Sequence, residues 1–364
     1  MGTRPEIIKF APLISALGGD PRFAPTIVST GQHKSMNEQT FSAFSIDPDH
    51  ELALMKENQT PNAFLSAALS ELEPLLAEIK PQAVIVQGDT TSALAGALAA
   101  FHLQIPFAHL EAGLRTFSLE APFPEEMNRS LISRIAKLHF CPTKRAAENL
   151  KSEGLREGIH VTGNTVVDAV VSMKQMLDDQ LITVDKVVDQ LISNGNKLVL
   201  VTGHRRENFD GPLQALCHTL RKLHDEFLDI SIVYPVHRNP KVQDTVLTEL
   251  QGASRIHLLN PLNYPSLLSL IQHSILIITD SGGIQEEAPT FGTPVLVTRC
   301  STERPEAIET DCARLCPLDN PDYLFQNAKN VIEDSSTWQI KAENPFGDGQ
   351  ASQRIKELLA DYFI

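Results

Sequence analysis

The feature that most constrains the fold is an alternation: short runs rich in Val, Ile and Leu recur along the whole chain, separated by stretches with helical periodicity. A parallel strand buried on both faces reads as a continuous apolar run, and it reaches its parallel neighbour only through a crossover, usually a helix. The alternation therefore predicts βα units around parallel sheets, an α/β class. Predicted strands cover residues 26–29, 83–87, 106–109, 139–141, 160–162, 198–202, 230–234, 256–259, 275–279 and 294–298, and segments 70–80 and 92–102 read as helices. These strands are too many for one small sheet, and 364 residues suffice for two domains with separate cores. A long polar helical stretch, residues 166–194, closed by Asn194-Gly195-Asn196, marks the junction. The expected division is residues 1–166 and 167–345, with residues 346–364 a C-terminal helix packing back on the first domain. Two Rossmann-like domains of this kind are expected to bind ligand in the interdomain cleft, at the carboxyl ends of the strands.

Composition removes several function classes. With 42% hydrophobic and 21% charged residues the chain is globular, and no apolar run approaches a membrane span. A net charge of −14 argues against a general nucleic-acid binder, so an anionic ligand must meet a local basic cluster. Cys141, Cys217, Cys300, Cys312 and Cys316 are odd in number and lack a CxxC pair, which fits a reducing cytoplasm better than a disulfide framework or a zinc site. The opening residues have no apolar core, so no signal peptide is expected.

The stretch Asp280-Ser281-Gly282-Gly283-Ile284-Gln285-Glu286-Glu287 reads as strand, glycine turn and helix start. Glycines let backbone approach an anion, and the unpaired N–H groups of a helix's first turn suit phosphate. Glu287 just behind suits ribose hydroxyls; the plainer explanation of the glycines is tight helix–strand packing.

Other polar clusters also follow predicted strands: Gln87-Gly88-Asp89-Thr90-Thr91, the residues from His109 to Arg115, those from Thr202 to Asn208, those from Tyr234 to Asn239 and those from Thr302 to Ala307. Singly each has a local explanation, with Asp89 capping a helix, Glu111 pairing with Arg115 and His204 a core histidine. Jointly they collect carboxylates in the first half and basic loops in the second, a division that suits a substrate with a neutral reacting part and a pyrophosphate part, such as a nucleotide sugar. Glu125 and Glu126 add carboxylates at a predicted helix start, where first-turn charge is favourable in any case. No GxGxxG turn, Walker loop, HExxH or GxSxG is present. Acid/base chemistry beside a phosphate leaving group remains, as in glycosyl transfer or elimination.

In order along nearly the full length, Gly2-Thr3-Arg4-Pro5-Glu6 with Lys9, Gly31-Gln32-His33, the Gly88, Glu111 and Pro124-Glu125-Glu126 motifs, Gly163-Asn164-Thr165-Val166, His204-Arg205-Arg206-Glu207, residues 280–289 and residues 302–307 resemble the bacterial non-hydrolysing UDP-N-acetylglucosamine 2-epimerases. The resemblance implies a glycosyltransferase-B-like fold, a homodimer, no redox cofactor and no metal. It implies interconversion of UDP-GlcNAc and UDP-ManNAc by elimination of UDP to 2-acetamidoglucal and re-addition. Carried over by position, Asp89, Glu111 and Glu125 match the acid/base carboxylates, with His204 beside them. Arg4, Lys9, Ser281, Gly282, Gly283 and Arg304 match UDP-binding positions, Glu287 the ribose carboxylate, and Leu262 and Leu267 stand where relatives place Gln and Phe near the uracil. Gln32, Glu125, Arg205 and His237 match a second, activating UDP-GlcNAc site, weakened here by Ser35 and Asn58 in place of Gln and Arg. Relatives also have a short apolar strand before the Gly-Thr-Arg-Pro-Glu turn, so the natural start is expected upstream of Met1. A hydrolysing epimerase, a glycosyltransferase of the same fold and a catalytically silent nucleotide-sugar sensor are the alternatives.

Overall fold

The computed structural model describes residues 1–31, 34–56, 59–120, 122–203, 211–340 and 343–364, without the side chains of residues 34–36. The chain divides into two compact units, Met1–Ala169 with Phe346–Ile364, and Val170–Pro345.

The first unit carries strands β1 (Val28–Ser29), β2 (His50–Glu51), β3 (Val84–Gln87), β4 (Phe107–Leu110), β5 (Leu138–Cys141) and β6 (Ile159–Val161). Its helices are α1 (Arg4–Gly18), α2 (Lys34–Ala43), α3 (Pro61–Ile79), α4 (Thr91–His102), α5 (Glu125–Ile135), α6 (Lys144–Ser152), the start of α7 (Thr165–Asp178), and the last helix of the chain, Ala351–Phe363. All recorded strand pairs are parallel: β1 with β2, and β3-β4-β5-β6 in sequence order. The two-residue period of a strand sorts its side chains between faces. On one face Ala108, Leu110, Leu138 and Phe140 pack against Phe10, Leu13 and Leu17 of α1 and Ile355 and Leu359 of the last helix. On the other, Val86 and Phe107 meet Ala93, Leu94, Ala97 and Ala100 of α4 and Ile132 of α5. The small side chains of α4 let it lie close on the sheet.

The second unit holds the rest of α7, α8 (Lys186–Ser193), β7 (Lys197–Thr202), α9 (Gly211–Glu226), β8 (Ile230–Pro235), α10 (Pro240–Leu250), β9 (Ile256–Leu259), α11 (Tyr264–His273), β10 (Ser274–Thr279), α12 (Gly282–Glu287), β11 (Val295–Val297), α13 (Pro305–Glu309), β12 (Ala313–Leu315) and α14 (Pro321–Glu333). The last helix of the chain is thus α15. Among the described residues the unit's six strands are parallel, in the order β12-β11-β10-β7-β8-β9. The order reverses between β7 and β10, which makes their carboxyl ends the topological switch point where such sheets bind ligands. One expectation needs correction, and two strands are additions to those expected. Residues 166–194 are not one helix, because α7 stops at Asp178 and Gln180 takes a left-handed φ of 56° before α8 begins. The short strands β2 and β12 were not expected, since neither is a long apolar run.

Candidate active site

In the first unit the polar groups gather where β3 and β4 end. Glu111 follows β4 with a left-handed φ of 65°, a conformation that costs a non-glycine residue energy and recurs at functional sites. Its carboxylate is largely enclosed, at 8% side-chain exposure. Lys9 of α1 donates to Oε1 and Gln87, the last residue of β3, donates to Oε2. Gly88 lies directly under this group: a Cβ there would stand 3.3 Å from Glu111 Oε2, and its φ of 68° favours glycine.

Asp89 is more open, at 24% side-chain exposure. Arg129 of α5 holds its Oδ2 through Nε at 3.0 Å and through Nη2, and Asn128 Nδ2 donates to its backbone carbonyl at 2.8 Å. Arg129 Nη1 also donates to buried Glu126 at 3.0 Å, while Glu126 Oε1 accepts from the backbone N–H groups of Thr116 and Phe117 at 3.1 and 3.0 Å. Glu125, first residue of α5, is half-buried. Two local explanations fail here. The cap of α4 is Thr90, whose hydroxyl accepts from Ala93, not Asp89. Arg115 pairs with Glu153 at 2.6 Å and donates to Ser133, not to Glu111. Arg4 opens α1 and is half-buried; Glu6 Oε2 accepts from the N–H of Gly2 and Thr3 at 3.0 and 2.8 Å, fixing that turn.

Beneath these loops are two enclosed imidazoles. Burial first, then nearby positive groups, pushes His109 down to about 3 and His139 down to about 4. Both rings are therefore neutral near pH 7.

In the second unit β10 runs into Asp280 and Ser281, and Gly282 and Gly283 begin α12. The turn is held from below: the Ser281 N–H donates to Thr279 Oγ1 at 2.9 Å, and that hydroxyl meets Thr202 Oγ1 of β7 at 2.6 Å, so the turn lies at the switch point. The Arg304 guanidinium takes the space beside Gly282, where an added Cβ would come within 2.6 Å of Nη1. Its Nε donates to Glu286 Oε1 at 2.9 Å. Glu287 is buried and accepts from Tyr264 Oη at 3.2 Å. Leu262 precedes α11 and Leu267 lies on it, both half-buried. His237 is exposed after β8, and its Nδ1 accepts from the Asn239 N–H at 3.2 Å. Gln32, Asn58, His204 and Arg205, with the side chain of Ser35, lie outside the described residues.

Thus Lys9, Glu111 and Asp89 join one cluster of the first unit, and Ser281, Gly282, Gly283, Glu287 and Arg304 one cluster of the second. Sequence reasoning missed Arg129, Gln87, Glu286 and Tyr264 as partners. The Glu126/Arg129 spacing of three on a helix was a usable signal for the first; the others require strand register or helix docking. Among the described residues no group of three or more His, Cys, Asp or Glu side chains is arranged to hold a metal, and no helix is long and apolar enough to cross a membrane.

The profile of the family described as UDP-N-acetylglucosamine 2-epimerase matches residues 15–360. The UDP-N-acetylglucosamine 2-epimerase of Escherichia coli K12 is 44% identical over 367 residues, covering 98% of this chain and 96% of that protein. A co-structure of S. aureus MnaA with UDP superposes with a TM-score of 0.91 at 42% identity, covering 99% of this chain and 95% of that one. UDP-GlcNAc 2-epimerase from Neisseria meningitidis bound to UDP-GlcNAc gives a TM-score of 0.91 at 36% identity, covering 99% and 98% of the two chains. With the parallel sheets and switch-point turn already in place, these full-length likenesses establish that the chain belongs to the UDP-N-acetylglucosamine 2-epimerase family, of glycosyltransferase-B-like fold.

Proposed function

We propose that the protein interconverts UDP-GlcNAc and UDP-ManNAc without net hydrolysis. The observation that carries this reading is the pair of carboxylates, Asp89 and Glu111, at the ends of adjacent parallel strands, each gripped by its own cation. C2–H of the sugar has no neighbouring carbonyl, so a base removes it only as the anomeric C–O bond breaks. In that step the C2–H electrons form the C1=C2 bond of 2-acetamidoglucal, the proton passes to a carboxylate, and UDP leaves with the C–O electron pair. In the return step a second group protonates C2 from the other face while the UDP oxygen re-forms its bond to C1. Asp89, Glu111 and Glu125 are the groups assigned to these transfers.

UDP is assigned to Ser281, Gly282, Gly283 and Arg304, with Glu287 on the ribose, Leu262 and Leu267 packing near the base, and Arg4, Lys9 and His204 completing the phosphate side. The ligands named for the S. aureus and N. meningitidis structures support a UDP-sugar as the ligand here. The division of labour by domain is residues 1–166 for proton transfer and 167–345 for UDP, with residues 346–364 returning to the first domain, and the chain works in the cytoplasm. We further assign a homodimer, supported by apolar Phe101 of α4 and Met127 and Leu131 of α5, which are 52%, 37% and 47% exposed on packed neighbouring helices. An activating UDP-GlcNAc site is assigned to Gln32, Arg205 and His237 with Glu125.

Incubation with UDP-GlcNAc alone tests the reading by its products. UDP-ManNAc at equilibrium upholds it; free ManNAc with stoichiometric UDP indicates the hydrolysing reaction, and no turnover without a sugar acceptor indicates a glycosyltransferase.

A further inference from the structure

The ends of β3 and β4 are tied to each other twice, from opposite faces of the sheet. In register Val86 pairs with His109 and Gln87 with Leu110, and the ladder extends one step further, with the Gly88 N–H donating to Leu110 O at 3.0 Å. Strand alternation puts His109 on the face of Phe107, toward α4 and α5, and Gln87 on the face of Ile85, toward α1. From the first face His109 Nε2 reaches the Gly88 carbonyl at 2.8 Å; from the second Gln87 Nε2 reaches Glu111 Oε2. A carbonyl only accepts, so Nε2 carries the proton. Each strand thus sends one side chain to grip the loop of the other.

We propose that Gln87 and His109 are a reciprocal pair of positioning residues that set the distance between Asp89 and Glu111. The proposal rests on the reading that these carboxylates carry the proton transfers. His109 is fully buried and Gln87 is 3% exposed, and each aims its N–H at the loop that follows the neighbouring strand. His109 fixes the carbonyl immediately before Asp89, and Gln87 fixes the carboxylate of Glu111 above the same glycine. Proton transfer to and from one carbon needs both groups placed at once, and misplacement by about 1 Å costs up to about a hundredfold in rate. Burial keeps the His109 ring neutral, and the charges of His139, Arg115 and Arg129 act in the same direction.

The test compares His109→Leu, His109→Gln and Gln87→Leu with Asp89→Asn and Glu111→Gln, measuring kcat, KM, UDP affinity and melting temperature for the intact protein. Losing either grip should lower kcat about ten- to a hundredfold with KM and UDP affinity nearly unchanged. His109→Gln, which restores an N–H near the Nε2 position, should recover most of that loss although it packs no better than leucine. Equal kcat for His109→Leu and the parent, or equal impairment of the Leu and Gln variants, would overturn the proposal. If His109→Leu does not fold, Gln87→Leu decides: a kcat loss of that size at constant UDP affinity upholds the pair, and unchanged kcat overturns it. Full turnover in Asp89→Asn and Glu111→Gln would instead defeat the carboxylate reading itself.

Discussion

In the first unit the polar site at the strand ends is assembled from long side chains crossing between elements: Lys9 to Glu111, Gln87 to Glu111, Arg129 to Asp89 and Glu126. In the second it is assembled from backbone space: a turn pinned by Thr279 and a guanidinium laid where Gly282 has no Cβ. The difference matches the roles proposed above for each. Moving protons requires side chains of defined charge held at defined points, whereas holding a bulky dianion requires room and N–H groups. The first cluster should therefore be sensitive to isosteric changes of charge, and the second to added volume.

The largest expected effect breaks the first cluster without changing its shape. Asp89→Asn or Glu111→Gln should lower turnover by roughly a hundredfold or more, with UDP affinity by calorimetry nearly unchanged. Near-parental turnover would remove the chemistry from the first unit.

Volume is the matching probe for the second cluster. Gly282→Ala should displace the Arg304 guanidinium and weaken UDP binding roughly tenfold or more, the worth of a charge-assisted hydrogen bond. Because the displaced guanidinium also pairs with buried Glu286, the melting temperature should fall as well, while kcat at saturating substrate changes less than UDP affinity. Parental UDP affinity in this variant would show that the second unit does not depend on that space.

Acid probes the buried rings of the first unit. His109 and His139 lie at about 3 and about 4 in the fold against 6.5 when exposed, so below pH 6.5 the unfolded chain takes up protons that the folded first unit refuses. Stability is complete above pH 6.5 and falls as pH drops toward these folded values, by at most about 1.4 kcal/mol per pH unit for each ring. Hydrogen exchange at pH 5 should show first-unit strands losing protection relative to pH 7, and His109→Gln should flatten the dependence. A pH-independent first unit between pH 7 and 5 would contradict the buried neutral rings.

The smallest effect concerns thiols. Burial pushes Cys141, Cys217 and Cys316 up to about 12 and raises Cys312, while Cys300 is exposed. A thiol reagent on the native protein should label one site quickly, at Cys300, and fast labelling of Cys141 would show that the first unit opens readily.

Much of the fold was legible because buried parallel strands are continuous apolar runs: residues 198–202, 230–234 and 275–279 lie within β7, β8 and β10. His50 and Glu51 of β2 gave no such signal, and the break in the 166–194 stretch falls at residues 179–185, where Gln180 takes a left-handed φ that composition does not mark. The loops that carry candidate chemistry were legible for the same reason, since they follow strands. Their partners were not. Gln87 meets Glu111 only because β3 and β4 pair in one register, and Arg129 meets Asp89 only because α5 docks beside α4. Arg115, four residues from Glu111, illustrates the converse: nearness in sequence suggested a pair, and the fold turned that guanidinium to Glu153 and Ser133.

The central claim is that C2 loses its proton to a carboxylate of the first unit while the second unit holds UDP. Epimerisation in D2O, followed by NMR of the sugar, tests it most directly. The product UDP-ManNAc should carry deuterium at C2 without any added nicotinamide cofactor, and Glu111→Gln should slow its appearance in step with turnover. Product that keeps all of its original C2 hydrogen would contradict the claim.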